Sequence, residues 1–286
     1  MSPIIEHGSV AVGVDGSSHS ERALDWAILE AEAERRPLSI LHAAGSPAIR
    51  PVGSLDAEAR RRLRITGRRV TDAALGHVVK NSPDLQVKVV MRLGDPQALL
   101  LDASKTASIV VLGSRGRGAL TSLLLGSVSV AVSESAQCPV VVVRPPAQDD
   151  ADRIVVGIDG SEISMSAVDF AFSQAALWDR PLTVLHVQSD PTEGFYPADG
   201  MLMDPETLAQ LLTAETLAGF REKHPDVALT VELERGEPAP KLVRASAHAA
   251  MIVVGSRGRG TAKALLMGST SRSVVERALC TVVVAR

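Results

Sequence analysis

Two glycine-rich stretches hold the residues of this chain best suited to chemistry. Gly113-Ser114-Arg115-Gly116 is followed, after nine residues, by Gly126-Ser127, and Gly255-Ser256-Arg257-Gly258 is followed after the same interval by Gly268-Ser269. Glycine permits positive φ and lets backbone N–H groups turn inward around an anion. A Gly-Ser pair ahead of a helix adds N–H donors, a hydroxyl and a positive dipole end. The pattern suits a phosphate cradle. For one such loop, tight turns that need glycine for geometry alone would be the better explanation; finding the same spacing twice favours a ligand. Arg115 and Arg257 stand inside the loops, where a guanidinium either meets phosphate or is merely solvated. Asp15 and Asp159 each end an apolar run just before Gly-Ser. A carboxylate there either bonds a ribose hydroxyl or faces a bound cation, or it satisfies backbone N–H groups at a helix entry.

Other chemistries fit poorly. A Walker A loop ends in Gly-Lys-Ser/Thr, which does not occur, and Gly13-Val14-Asp15-Gly16 lacks the spacing of a dinucleotide-binding fingerprint. Asp15, Ser17 and His19 carry the letters of a hydrolytic triad but lie too close together along one turn to take its three positions. His42 and His186 sit in apolar strand ends, as packed and hydrogen-bonded core residues do, with no second histidine or cysteine at metal-ligand spacing. Cys138 and Cys280 each precede a last strand, where a small buried hydrophobe is the simpler explanation.

The elements that must position the loops come from a duplication. Val12-Gly13-Val14-Asp15-Gly16-Ser17 returns as Val156-Gly157-Ile158-Asp159-Gly160-Ser161 at an offset of 144, and the glycine loops return at 142. Between the halves, 144–152 is acidic, Pro-containing and poor in apolar residues, as a linker should be. The expected domains are 1–144 and 153–286, joined by a linker over 145–152. Within each half, β-branched runs alternate with helical patterns. The predicted strands are Val10–Asp15, Leu38–Ala43, Leu85–Met91, Ile109–Leu112 and Val140–Val143, then Ile154–Asp159, Leu182–Val187, Val227–Leu233, Met251–Val254 and Val282–Val284. Alternation of this kind implies βαβ units on a parallel sheet, so each half should be a doubly wound five-stranded α/β domain with about four helices. Leu85–Met91 alternates, as an edge strand would. Ser18 with Glu21 forms a capping-box pattern, and Leu24, Ala27, Ile28 and Ala31 line the buried face of the first helix.

Composition bounds the rest. The chain has 286 residues, 45% hydrophobic and 22% charged, enough to fill two cores. Thirty Lys+Arg against 33 Asp+Glu give a net charge of −3, which argues against a general nucleic-acid or anionic-membrane surface. Two cysteines and the absence of a long apolar run or signal-like start fit a cytoplasmic protein. In the one strong charge run, Arg60, Arg61, Arg62, Arg64, Arg68 and Arg69, the helical wheel points Arg60, Arg61, Arg64 and Arg68 outward and buries Leu63, Val70, Ala73 and Ala74, so a solvated face is expected, with a protein or nucleic-acid contact as the alternative. The segment from Gln188 to Pro197 is loop-like, and is either a lid over the second site or a surface loop.

Both halves together resemble a tandem universal stress protein of the ATP-binding type, through Gly-x2-Gly-x9-Gly-Ser in each copy. The resemblance implies a Rossmann-like pair packed as a pseudo-dimer through the last strands, a further homodimer, and one adenine nucleotide site per half. In the first half it implies a site of Gly13, Asp15, Ala43, Gly113, Arg115, Gly116, Gly126, Ser127 and Val128. In the second it implies Gly157, Asp159, Val187, Gly255, Arg257, Gly258, Gly268, Ser269 and Thr270. The aspartates would lie at the nucleoside, Ala43 and Val187 would offer backbone to adenine, and the loops would hold ribose and phosphates. ATP would bring Mg²⁺, with Asp15 and Asp159 the protein groups nearest it. The function implied is regulatory binding with an unidentified protein partner. The alternatives are a slow ATPase or nucleotidyl-transfer enzyme and a nucleotide-free assembly module.

Overall fold

A computed structural model describes residues 3–45, 55–116, 125–188, 205–258 and 267–286. The chain divides into two compact units, Met1–Arg144 and Pro145–Arg286. In the first, the order is β1 (Val10–Gly13), α1 (Ser18–Ala33), β2 (Leu38–Ala44), α2 (Ala57–Asn81), β3 (Val87–Leu93), α3 (Pro96–Ala103), β4 (Ile109–Gly113), α4 (Ser127–Ser135) and β5 (Val140–Val143). The second repeats it as β6 (Ile154–Ile158), α5 (Glu162–Leu177), β7 (Leu182–Gln188), α6 (Pro205–Lys223), β8 (Leu229–Arg235), α7 (Pro238–Ala245), β9 (Met251–Gly255), α8 (Ser269–Arg277) and β10 (Thr281–Ala285), with one 3-10 turn over Ser246–His248.

Each unit carries a parallel sheet, in the order β3-β2-β1-β4-β5 in the first and β8-β7-β6-β9-β10 in the second. Runs such as Val10–Val12 on β1 and Ile154–Val156 on β6 are fully enclosed, because helices cover both faces of a parallel sheet and no residue of a central strand can face water. β3 and β8 end their sheets and show exposed residues among half-buried ones. They start two residues later than the apolar pattern suggests. Leu85 N–H bonds back to Ser82 O and Val227 N–H to His224 O, so these residues close the turn after the helix before the strand begins.

α1 buries Ala23, Leu24, Ala27, Ile28 and Ala31 against the sheet. Its cap is Ser17, one residue before the Ser18 expected: Ser17 Oγ accepts from Ser20 N–H at 3.2 Å. Adjacent serines give the sequence two equivalent frames, and the turn geometry selects one. On α2 the buried line is Gly67, Val70, Thr71, Ala74 and Val78. Ala73 is exposed, correcting the expected stripe by one position, because the helix approaches the sheet at Gly67, where a Cβ would lie 3.2 Å from both Ala44 Cβ and His42 Cδ2.

Candidate functional site

The strand order turns at β1 and β4 in the first unit and at β6 and β9 in the second, because the chain leaves β1 toward β2 on one side and β4 borders it on the other. Loops leaving neighbouring strands diverge there and open a crevice above the carboxyl ends of the strands. At this point β1 gives Asp15, and β4 gives Gly113-Ser114-Arg115-Gly116.

Hydrogen bonds fix both loops. Asp15 Oδ1 accepts from Ser17 N–H at 3.0 Å and from Ser17 Oγ–H at 2.6 Å, while Ser20 Oγ accepts from the N–H groups of Asp15 and Gly16. Gly16, at φ 76, makes that turn possible. The second unit reproduces it: Asp159 Oδ1 accepts from Ser161 N–H at 3.0 Å and Ser161 Oγ–H at 2.7 Å, and Gly160 has φ 75. The aspartates therefore do serve as helix-entry groups through one oxygen.

The other oxygen faces the glycine loop. A Cβ built on Gly116 would stand 2.7 Å from Asp15 Oδ2, and one on Gly258 would overlap Asp159 Oδ2. Neither glycine, nor any other of Gly113, Gly126, Gly255 and Gly268, has a positive φ. This corrects the conformational argument for these positions. Close approach accounts for Gly113, where an added Cβ would stand 2.6 Å from the His19 backbone, and for Gly255, where it would stand 3.0 Å from Ile163 Cγ2; at Gly126 and Gly268 the nearest atom would be 3.6 Å away, an ordinary contact that does not by itself require glycine. Gly13 and Gly157 are explained by apolar contact, with Leu112 Cδ2 at 2.7 Å and Leu242 Cδ2 at 2.8 Å from a modest added Cβ.

The loop then returns to its origin. Gly126 N–H bonds Ser114 O at 2.8 Å and Gly268 N–H bonds Ser256 O at 2.9 Å. Ser129 Oγ–H donates to Gly113 O at 2.8 Å, and Ser271 Oγ–H to Gly255 O at 2.6 Å. These bonds clamp the starts of α4 and α8 over the ends of β4 and β9. Gly126 and Gly268 supply no side-chain cap, so the first-turn N–H groups of Ser127 and Val128, and of Ser269 and Thr270, begin each helix uncapped. Ser127 and Ser269 are exposed, while Val128 and Thr270 are half-buried. The anchoring serines at 20, 114 and 129 escaped the motif reading. Their signal was available, since Ser164, Ser256 and Ser271 recur at the offsets of the duplicated blocks.

Ala43 and Val187 lie on β2 and β7 past the point where the neighbouring strand ends: β1 pairs with β2 as far as Leu41, and β6 with β7 as far as His186. The histidines before them are structural. His42 Nδ1 donates to Val14 O at 2.7 Å and His186 Nδ1 to Ile158 O at 3.1 Å. Arg117, Gly118, Arg259 and Gly260, like the loop from Ser189 to Pro197, lie outside the described residues. Among the described residues no group of three His, Cys, Asp or Glu side chains is placed to hold a metal ion.

The two sites are not identical. In the first, His19 Nδ1 lies 3.0 Å from Arg22 Nη2 and 3.2 Å from Ser114 Oγ. A guanidinium only donates, so Nδ1 accepts and the imidazole is neutral. Burial, then the charges of Arg22 and Arg115, hold its pKa below the ordinary imidazole value, against the opposing pull of Asp15.

A model described as the universal stress protein family matches residues 7–144 and again 151–286. The chain belongs to the universal stress protein family. It is similar along its length to a universal stress protein of Mycobacterium tuberculosis, 36% identical with 99% of this chain and 98% of the relative covered. Another, from Mycolicibacterium smegmatis, is 34% identical over 98% and 97% of the two chains. Among solved structures, a universal stress protein from Archaeoglobus fulgidus aligns over 99% of both chains with a TM-score of 0.71 at 21% identity, which shows a shared fold. This universal stress protein is thus a tandem of two family domains. No helix among its described residues is long and apolar enough to cross a membrane.

Proposed function

We propose that each unit binds one adenine nucleotide, ATP with Mg²⁺, and that occupancy sets conformation or partner choice in a cytoplasmic, homodimeric regulatory protein. The observation that carries this reading is the closure, in both units, of the glycine loop onto the switch-point aspartate, with an uncapped helix start clamped beside it. Those N–H groups and the positive helix end suit phosphate oxygens. Arg257 adds support, since its Nε is buried without a hydrogen-bond partner among the described residues. Buried donors in proteins are nearly always paired, and a phosphate is a fitting acceptor.

Adenine would meet the backbone of Ala43 or Val187, and ribose would meet Asp15 or Asp159. The side chains described offer no cluster for a metal, so Mg²⁺ would be carried mainly on the phosphates, as that ion usually is. The loops hold a ground-state phosphate and contain no Lys or Glu from Gly113 to Gly118 or from Gly255 to Gly260, which favours binding over proficient hydrolysis.

Calorimetric unfolding with and without MgATP tests the reading. A ligand at about 100 times its dissociation constant adds roughly 2.7 kcal/mol per independent site. Replacing Gly116 or Gly258 by Ala should remove the gain from one site, because the new methyl displaces the aspartate; loss in neither variant would return the loops to the status of structural turns. Native mass spectrometry would identify the nucleotide and count it.

A further inference from the structure

The duplicated sites differ on the first turn of the helix behind the glycine loop. At the offset of 144, Ser18, His19 and Arg22 of the first unit correspond to Glu162, Ile163 and Ser166 of the second. The change is at the site itself. A Cβ on Gly113 would touch the His19 backbone and lie 3.0 Å from its Cβ, and a Cβ on Gly255 would touch Ile163 in the same way, with Ile163 Cγ2 at 3.0 Å. Both side chains therefore support the strand end that launches the loop, one by packing alone and one with a titratable ring.

The groups facing His19 come from three segments. Arg22 lies on its own helix, Ser114 and Arg115 on the loop after β4, and Asp15 on the turn after β1. In this arrangement Nδ1 accepts from Arg22 and faces the Ser114 hydroxyl, while Arg22 Nε is buried with no hydrogen-bond partner among the described residues. The cluster thus holds two guanidiniums around a neutral imidazole with one carboxylate. It is short of negative charge. A polyphosphate entering beside Arg115 supplies that charge, relieves the repulsion between cations and favours a proton on the ring. The second site has no ring to titrate and places Glu162 where the first has Ser18.

We propose that the first site, and not the second, couples polyphosphate binding to proton uptake at His19. The proton comes from solvent, the imidazole becomes imidazolium, and no covalent bond changes. This rests on the reading that the glycine loops hold nucleotide phosphates. It makes occupancy of the first site rise as pH falls toward the titration range of histidine, while the second site stays indifferent.

Titration calorimetry of the full chain with MgATP near pH 6, repeated in buffers of different ionisation enthalpy, reads the protons taken up. The expected result is uptake of up to about one proton per chain, since one imidazole titrates, fading near pH 8. His19→Ile copies the residue the second unit already tolerates and should abolish the uptake. The paired graft Ile163→His with Ser166→Arg should add uptake at the second site. The His19 ring shifts in NMR should report a pKa raised by MgATP in the wild-type chain, a change that a purely packing role would not produce. Binding without proton uptake, or uptake surviving in H19I, overturns the coupling and leaves nucleotide binding intact. Failure of the wild-type chain to bind MgATP, ADP or AMP overturns both.

Discussion

A second proton on the His19 ring in the absence of ligand must break the contact with Arg22, since two donors cannot share one line of approach. The consequence for stability has a definite sign. The folded-state pKa is depressed by burial and by Arg22 and Arg115, so the unfolded chain binds this proton more readily. The contribution is complete above the unfolded pKa of about 6.5 and is lost as pH falls through the lower folded value. His19→Ile should flatten the fall in stability between neutral pH and about pH 5, measured by denaturant unfolding in steps of pH. An unchanged slope would show that this ring is already solvated. Glu234 acts in the same direction at lower pH: its hydrogen bond with Lys241, ahead of the Arg244 contact, holds its carboxyl below the ordinary value. This contribution is present above the unfolded carboxylate range and disappears on acidification through the folded pKa. The residues of the proposed site were legible as a spacing, but the contacts that hold them were not. Nothing in one sequence says that Ser114 turns toward His19, because that contact joins residues 95 apart in the chain.

Helix ends are where local sequence and local energy can be compared directly. α1 and α5 both stop on a left-handed residue that is not glycine, Arg35 at φ 55 and Asp179 at φ 48. The chain then makes the hydrogen bonds of a Schellman turn, Arg36 N–H to Ala31 O and Arg180 N–H to Ala175 O. A side chain in that conformation carries a steric penalty that glycine escapes. Arg35→Gly and Asp179→Gly should each raise stability, by roughly 0.5–1 kcal/mol after allowing for the added freedom of the unfolded chain. Denaturant midpoints at unchanged slope would measure it, and a decrease in both would mean that the side chains hold contacts worth more than the strain. At the other end, Ser17→Ala and Ser161→Ala should each cost about 1 kcal/mol by loss of the cap to Ser20 or Ser164. Both remove the hydroxyl that holds Asp15 or Asp159, so nucleotide affinity should fall with them. The strands were legible because β-branched runs buried on two faces have no other good reading. Their starts and stops were less so: β3 and β8 begin late because the preceding turn consumes two apolar residues, and β1 ends at Gly13 because its neighbours part there. Gly116 and Gly258 were recognised as necessary for a reason the fold replaces, collision with a carboxylate rather than backbone handedness.

At the scale of the whole chain, duplication gives one fold two chances to differ. The frame of each unit, from the aspartate-to-serine turn to the serine clamp, is kept, while Glu162, Ile163 and Ser166 change what surrounds the second loop. If both units bind and neither turns over, MgATP should saturate the chain at two nucleotides, and light scattering should show a species larger than the 30.1 kDa of one chain. The harder test is catalysis. Phosphoryl transfer needs an in-line nucleophile oriented by a polar side chain, with developing charge neutralised by metal and cations. Asp15 and Asp159 are the candidate bases, yet each has one oxygen committed to the N–H and hydroxyl of the following serine, and the other set against the glycine loop. A carboxylate so held is oriented toward the turn and the loop, not toward an attacking water. Turnover should therefore lie far below the ~1–100 s⁻¹ of kinases. Measured steady-state hydrolysis in that range, lost on Asp15→Asn and Asp159→Asn while ATP affinity survives, would make this chain an enzyme and the clamped loops its phosphate-transfer site.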